Sequence, residues 1–107
     1  MRLSNGSSRC AGRVEFYDNG QWGTVCGESW DVNDANVACR QLDCGTAHKI
    51  TTKTEYGHGT GHTWINRIDC NGLESTLGQC SQSPLRDRTC NTTSVAGVVC
   101  TGKKKHI

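Results

Sequence analysis

The chain has 107 residues, of which 34% are hydrophobic, with a mean hydropathy of −0.60 and a formal net charge of +2. Lys103, Lys104 and Lys105 are three of its 12 basic residues, so the rest of the chain has nine basic against ten acidic residues. This balance argues against a nucleic-acid function carried by net charge. The sequence contains no run of about 18 apolar residues, so it predicts no membrane span. The composition predicts one small domain with a thin core.

The first predicted elements are the two strands of a β-hairpin. Residues 13–17 alternate polar and apolar side chains, with Val14 and Phe16 expected to face the core, and residues 21–26 form the returning strand. Residues 18–20 between them, Asp-Asn-Gly, tolerate the positive φ angles of a tight turn.

A helix is predicted next, capped by Asp31 or Asn33 and continuing to about Leu42, with Gly45 as a stop. Its inward face would carry Ala35, Ala38, Cys39 and Leu42. Residues 45–63 are polar, contain four glycines and show little periodicity, which predicts a long loop.

The last predicted elements are short strands at residues 64–70 and 95–100 and a helical turn near residues 74–80. One main helix packed on a small, curved antiparallel sheet with long loops is an α+β fold. Because the core is thin, the tryptophans are expected to provide most of its apolar mass. They are Trp22, Trp30 and Trp64.

Eight cysteines lie between Cys10 and Cys100. This density in a short chain predicts a disulfide framework and maturation in an oxidising compartment. Zinc is the alternative, but structural zinc sites use thiolates about two to four residues apart, and only Cys39 and Cys44 come close. The residues alone leave the pairing of the eight cysteines open.

Several motifs match a known family. Residues 12–15 (Gly-Arg-Val-Glu) and 22–26 (Trp-Gly-Thr-Val-Cys) resemble the opening of the scavenger receptor cysteine-rich domain. The helix within residues 30–45 and the segments at residues 70–80 and 96–100 follow in the order of the family. The resemblance covers residues 2–101, and residues 102–107 are predicted to be a linker or an added tail.

The eight cysteines resemble group B of this family, whose usual pairing implies Cys10–Cys44, Cys26–Cys90, Cys39–Cys100 and Cys70–Cys80. The resemblance also implies one domain of a longer chain. The polar start lacks the apolar centre of a signal peptide, so we expect an excised segment in which Met1 is an added residue.

The resemblance implies a non-catalytic, extracellular module of a scavenger receptor or secreted immune protein that binds polyanionic, microbial or protein ligands. An adhesion or spacer domain, in a tandem array or in a secreted multidomain enzyme, is the alternative. The residues themselves offer no nucleophile with a base, since every cysteine is expected to be bridged. His58 and His62 are four residues apart, but the glycines around them predict a solvent-facing loop rather than a zinc-binding helix.

A weakened calcium or magnesium site is one candidate binding site. The family places two consecutive aspartates after the second cysteine and a glutamate in a G-x-E motif, and the matching positions are Gly27, Glu28 and Glu74. Asp31 and Asp34 lie nearby in sequence, although both equally suit a helix N-terminus. Because Gly27 supplies no carboxylate, Gly27→Asp is expected to strengthen the site.

An arginine surface is the other candidate. Arg67, Arg86 and Arg88 would form a basic patch that engages carboxylates or sulfates in bidentate fashion, displayed by a loop at residues 81–89. A solvated loop without a ligand is the alternative. Asn5 and Asn91 begin two N-x-[ST] sequons and are expected to accept glycans if the chain passes through the secretory pathway.

Overall fold

Two sheets and one helix form the computed structural model, which describes residues 1–18, 20–57, 63–64, 66–84 and 94–102. In these residues the strands are β1 Arg2–Asn5, β2 Ala11–Asp18, β3 Gln21–Val25, β4 Ala47–Thr51, β5 Thr63–Trp64, β6 Asn66–Asp69, β7 Ser81–Pro84 and β8 Gly97–Cys100. The helix is α1 Val32–Gln41, and the short 3-10 turns are η1 Gly27–Ser29 and η2 Leu77–Gln79.

Strand β2 is the centre of the larger sheet. Its second half pairs with β3, as the hairpin pattern predicted, and its first half pairs with β8. β1 lies along the opposite edge of β2, because Glu15 is paired with both Arg2 of β1 and Thr24 of β3. β4 extends the sheet beyond β8, and β5 pairs in parallel with β3, so the larger sheet is not antiparallel throughout.

Helix α1 begins at the residues that the sequence predicted. Asp31 is the N-cap and accepts a 3.1 Å hydrogen bond from the N–H of Asp34, whose side chain accepts one of 3.1 Å from the N–H of Asp31. This capping box satisfies backbone donors that a helix N-terminus leaves without intrahelical partners. In the described part of the chain, no helix has the length and apolar character needed to cross a membrane.

The core lies between α1 and the inner face of the larger sheet. Val14, Val37 and Val98 are fully buried there, one each from β2, α1 and β8. The structure contains three of the four disulfides that the resemblance implied: Cys10–Cys44, Cys39–Cys100 and Cys70–Cys80. Cys26 is disulfide-bonded as well, and Cys90, its implied partner, lies outside the described residues.

Two segments that were predicted as loops contain strands. β4 lies within residues 45–63, and β7 occupies the start of residues 81–89. Each has one described strand partner, β8 for β4 and β6 for β7, so main-chain pairing stabilises them without the apolar alternation that sequence analysis relies on. The strand predicted at residues 64–70 is divided between β5 of the larger sheet and β6 of the smaller one.

Candidate ligand-binding site

The alternation of β2 separates the two faces of the larger sheet. Val14 and Phe16 pack in or against the core, so residues 13, 15 and 17 point to the outer side. Strand pairing brings residues of β1 and β3 beside them on that side, among them Arg2 and Trp22. We call this group the arginine face: Arg2, Arg13, Glu15, Tyr17 and Trp22.

Glu15 is buried at the centre of the arginine face, with 2% of the residue exposed. Its Oε1 accepts a 2.8 Å hydrogen bond from Nε of Arg2, and its Oε2 accepts one of 2.8 Å from Nε of Arg13. Burial raises the pKa of Glu15, but the hydrogen bonds and charges of Arg13 and Arg2 outweigh it and hold the pKa below its usual value. Glu15 is therefore ionised and fixes both guanidinium groups.

Arg2 is held on its other side by an aromatic ring. Its guanidinium carbon lies 3.9 Å from the centroid of Trp22, and Tyr17 meets Trp22 edge-on with ring centroids 5.4 Å apart. A guanidinium over an indole ring gains cation–π attraction. Nonetheless 48% of the Arg2 side chain faces solvent, and Tyr17 is 62% exposed. This end of the arginine face is both ordered and accessible.

The opposite end of the arginine face is partly covered by the segment that follows β4. Nη1 of Arg13 donates a 2.6 Å hydrogen bond to the backbone oxygen of Tyr56, and Nδ2 of Asn5 donates one of 3.1 Å to the same oxygen. The Arg13 side chain is accordingly only 16% exposed. Arg13 therefore helps to hold this segment on the sheet, whereas Arg2 is presented to solvent.

Asp31 and Asp34, two of the predicted metal ligands, connect α1 to the rest of the fold. Besides its bond within the capping box, Asp34 accepts a 2.8 Å hydrogen bond from the N–H of Cys70. Both of its carboxylate oxygens thus serve backbone donors inside the protein. Burial raises the pKa of Asp34 to about 6, against the opposing effect of those backbone donors.

Glu74, another predicted ligand, faces the backbone of its own loop. Its carboxylate accepts hydrogen bonds of 3.1–3.2 Å from the N–H groups of Asn71 and Gly72. Desolvation raises its pKa, but these backbone donors lower it more, so the pKa lies below its usual value. Ligand atoms of Cys70, Glu74 and Cys80 lie within 4.8 Å of one another, yet the two sulfurs form a disulfide and offer no thiolate.

Gly27 occupies the position at which the family pattern has an aspartate, and there is no space at Gly27 for a side chain. A Cβ at Gly27 would lie 2.6 Å from the backbone oxygen of Thr52 and 3.1 Å from Oγ of Ser94. Glu28 is exposed in η1. Among the described residues, no three of the acidic candidates bring their oxygens within 4.8 Å of one another. This donor set does not fit a resident calcium or magnesium ion, which needs several converging oxygens.

The predicted arginine patch lies largely beyond what the structure describes. Arg67 is part of β6, and Arg86 and Arg88 are outside the described residues, as are His58, His62 and Asn91. This patch stays a prediction.

Trp22 and Trp30 lie on opposite sides of the larger sheet, and the side chain of Trp64 is outside what the structure describes. Trp30 is buried, as expected, and its Nε1 donates a 3.0 Å hydrogen bond to the backbone oxygen of Gly97. For Trp22 the prediction of a core position was wrong, because its ring lies on the outer side against Arg2. The alternation of residues 13–17 already indicated that Tyr17 faces outward, but the pairing with β1 that adds Arg2 left no signal in the sequence.

A profile of the scavenger receptor cysteine-rich (SRCR) domain matches residues 4–101. The chain belongs to the SRCR family. It is 45% identical over 100 residues to the T-cell differentiation antigen CD6 of Mus musculus, a match that covers 94% of this chain and 15% of CD6. The fold class and the group B resemblance predicted from the sequence are thereby confirmed.

Solved SRCR domains share the fold. The third SRCR domain of murine neurotrypsin superimposes with a TM-score of 0.85 at 37% identity, covering 94% of each chain. The dimeric form of the SRCR domain of mouse MARCO gives a TM-score of 0.72 at 36% identity and covers 94% of this chain and 93% of its own. The chain spans only 15% of the length of mouse CD6. Its match there is to one part of a larger protein.

Proposed function

We propose that this SRCR domain is a non-catalytic module that binds ligands outside the cell, and that the arginine face contacts the anionic groups of those ligands. The observation that carries the proposal is the state of Arg2, which is fixed by Glu15 and Trp22 while nearly half of its side chain faces solvent. An arginine that is ordered before binding loses less entropy on contact. Its planar guanidinium suits carboxylates, sulfates and phosphates.

The proposed setting rests on the disulfides and on the relatives. Three disulfides among the described residues support an oxidising compartment. The short span of the match to CD6 supports a place as one domain of a longer chain, with residues 102–107 as linker or tail. The donor geometry around Glu28, Asp31 and Glu74 supports ligand binding without a bound cation, and a calcium-dependent mode is the outcome that would speak against it.

A protein partner is the second candidate ligand, and the exposure of Tyr17 favours it. Tyrosine, tryptophan and arginine are the residue types that most often dominate the binding energy of protein interfaces. On the arginine face, the ring of Trp22 contacts both Tyr17 and Arg2. An acidic protein surface and a sulfated polymer would engage the same guanidinium, and the two differ in how much they need the aromatic rings.

The test uses dextran sulfate as the anionic probe and the chain shortened after Gly102. This removes the three adjacent lysines, which bind polyanions without any fold, and keeps the hydrogen bond from the N–H of Gly102 to the backbone oxygen of Cys44. We expect binding that persists in chelator and weakens as salt rises, since exposed charges are screened within about 8–10 Å.

Arg2→Gln should weaken this binding, whereas Arg40→Gln should leave it nearly unchanged. Arg40 is the matched control because it is an exposed arginine on α1, which packs on the other side of the sheet, and it makes one hydrogen bond to the backbone oxygen of Glu74. Equal losses in the two variants would reduce the effect to net charge and refute the arginine face as the site. Loss of binding in chelator would refute the metal-free mode.

A further inference from the structure

Asn5 lies on the surface at the covered end of the arginine face. It is the exposed last residue of β1 and has a φ angle of 70°, and it opens the sequon Asn5-Gly6-Ser7, in which Ser7 is also exposed. Asparagine is one of the few residues that tolerate this left-handed conformation. A glycan at this position would extend into solvent without displacing the fold.

The atom of Asn5 that accepts a glycan is close to Arg13. Nδ2 of Asn5 and Nη1 of Arg13 both donate hydrogen bonds to the backbone oxygen of Tyr56, of 3.1 and 2.6 Å. A Cβ built at Gly57 would be 3.4 Å from Nδ2 of Asn5 and 3.3 Å from Nη1 of Arg13. The first sugar on Asn5 would therefore be attached beside the Arg13 guanidinium.

Glycosylation is compatible with the hydrogen bond that Asn5 makes. In the transfer, a bond forms between Nδ2 and the anomeric carbon of the first N-acetylglucosamine while the bond from that carbon to a lipid diphosphate breaks. Nδ2 loses one proton, and the lipid diphosphate is the leaving group. One Nδ2 hydrogen remains after the transfer, so Nδ2 keeps a donor for the backbone oxygen of Tyr56.

We propose that Asn5 carries an N-linked glycan that covers the Arg13 end of the arginine face and leaves the end formed by Arg2, Trp22 and Tyr17 open. This rests on the function proposed above. Arg2 lies three residues from Asn5 along β1, about 10 Å at the usual strand rise. A short anion reaches Arg2 without contacting the glycan, whereas a long polyanion that crosses the whole face meets it.

The test compares three forms of the chain shortened after Gly102 and secreted by eukaryotic cells, each with Asn91→Gln so that Asn5 is the remaining sequon. The forms are the otherwise unchanged chain, Ser7→Ala and Ser7→Thr. Ser7→Ala removes the sequon but keeps Asn5 and its hydrogen bond to Tyr56, and Ser7→Thr keeps the sequon. Removal of the whole glycan with an amidase is a poorer choice, because it converts Asn5 to aspartate beside Arg13.

Peptide mass mapping should find a glycan on Asn5 in the unchanged chain and in Ser7→Thr, and none in Ser7→Ala. Ser7→Ala should bind dextran sulfate about two- to fivefold more tightly, a change of the size of one weak surface contact, because the long polyanion then crosses this end of the face without meeting the glycan. Its affinity for sucrose octasulfate, a compact anion, should match that of the unchanged chain.

The outcomes separate this inference from the proposed function. An unmodified Asn5 in the secreted chain would overturn the glycan. A modified Asn5 with equal dextran sulfate affinity in all three forms would overturn the shielding and leave the arginine face standing, provided that Arg2→Gln still weakens binding. If no form binds dextran sulfate, the proposed function and the shielding fail together, and the mass measurement still decides whether Asn5 is modified.

Discussion

The arginine face and the junction between α1 and Cys70 both contain buried carboxylates, but they use them in opposite ways. At the junction, Asp34 accepts hydrogen bonds from the backbone N–H groups of Asp31 and Cys70, so both of its carboxylate oxygens are used inside the protein. On the arginine face, Glu15 accepts hydrogen bonds from Arg2 and Arg13. It thereby fixes the guanidinium of Arg2, which faces solvent.

This difference explains why counting acidic residues misdirects the search for a site. A cation needs carboxylate oxygens that converge on open space. Around α1 the oxygens of Asp34 and Glu74 point at backbone N–H groups instead. On the arginine face, Arg2 offers hydrogen-bond donors to solvent, which supports the proposal that anions bind at the sheet rather than cations at the helix.

Asp34→Ala would break the junction and should have the largest effect on stability. The variant leaves the N–H groups of Cys70 and Asp31 without their acceptor and removes half of the capping box. We expect a loss of about 3 kcal/mol in the free energy of unfolding, measured with guanidinium chloride and intact disulfides. Glu28→Ala, an exposed acid in η1, is the control and should change it by less than about 0.5 kcal/mol. Equal effects would show that Asp34 is not a structural connection.

Gly27→Asp tests whether an added carboxylate in η1 could create a cation site near α1. The sequence predicted stronger calcium binding, but the nearby backbone oxygen of Thr52 leaves no space for a Cβ. We expect a loss of about 2 kcal/mol in unfolding free energy and no gain in calcium affinity by calorimetry. Gly78→Ala is the control, since a Cβ there meets only Oγ1 of Thr76 at 3.8 Å. Calcium binding that tightens in a stable Gly27→Asp would contradict this assignment.

Sequence patterns predicted the parts of the fold in which local signals and tertiary structure agree. The alternation of residues 13–17 and the capping residue Asp31 gave β2 and α1. β1 and β4 were missed because their stability comes from pairing with β2 and β8, and β1 has only Leu3 as a buried apolar residue. The arginine face was missed for the same reason, since Arg2 meets Glu15 and Trp22 only through that pairing.

The acidity of Asp34 provides a pH test of the junction. Because burial raises its pKa to about 6, from 3.8, the folded state binds the proton more tightly than the unfolded chain does. The resulting stabilisation is complete below about pH 4 and is lost as pH rises to about 6. We expect the unfolding free energy of the parent relative to Asp34→Asn to fall by about 1–2 kcal/mol across this range. A flat difference would contradict the shift.

Tyr17→Ser sharpens the other side of the comparison and should have the smallest effect on stability. Tyr17 is exposed, and its ring contact among the described residues is the T-shaped pair with Trp22, so the unfolding free energy should change by less than about 0.5 kcal/mol. Sucrose octasulfate should bind almost as before, because Arg2 remains in place. A protein ligand that uses the aromatic rings should lose affinity, and an unchanged affinity for such a ligand would exclude Tyr17 from its interface.

The most direct test of the central claim is a nuclear magnetic resonance titration of the chain shortened after Gly102 with sucrose octasulfate in chelator. We predict that the Nε–H signals of Arg2 and Trp22 shift with saturation, while the backbone signals of Asn71 and Gly72, beside Glu74, stay in place. Shifts confined to Asn71 and Gly72, appearing only when calcium replaces the chelator, would contradict the account and place the site at Glu74.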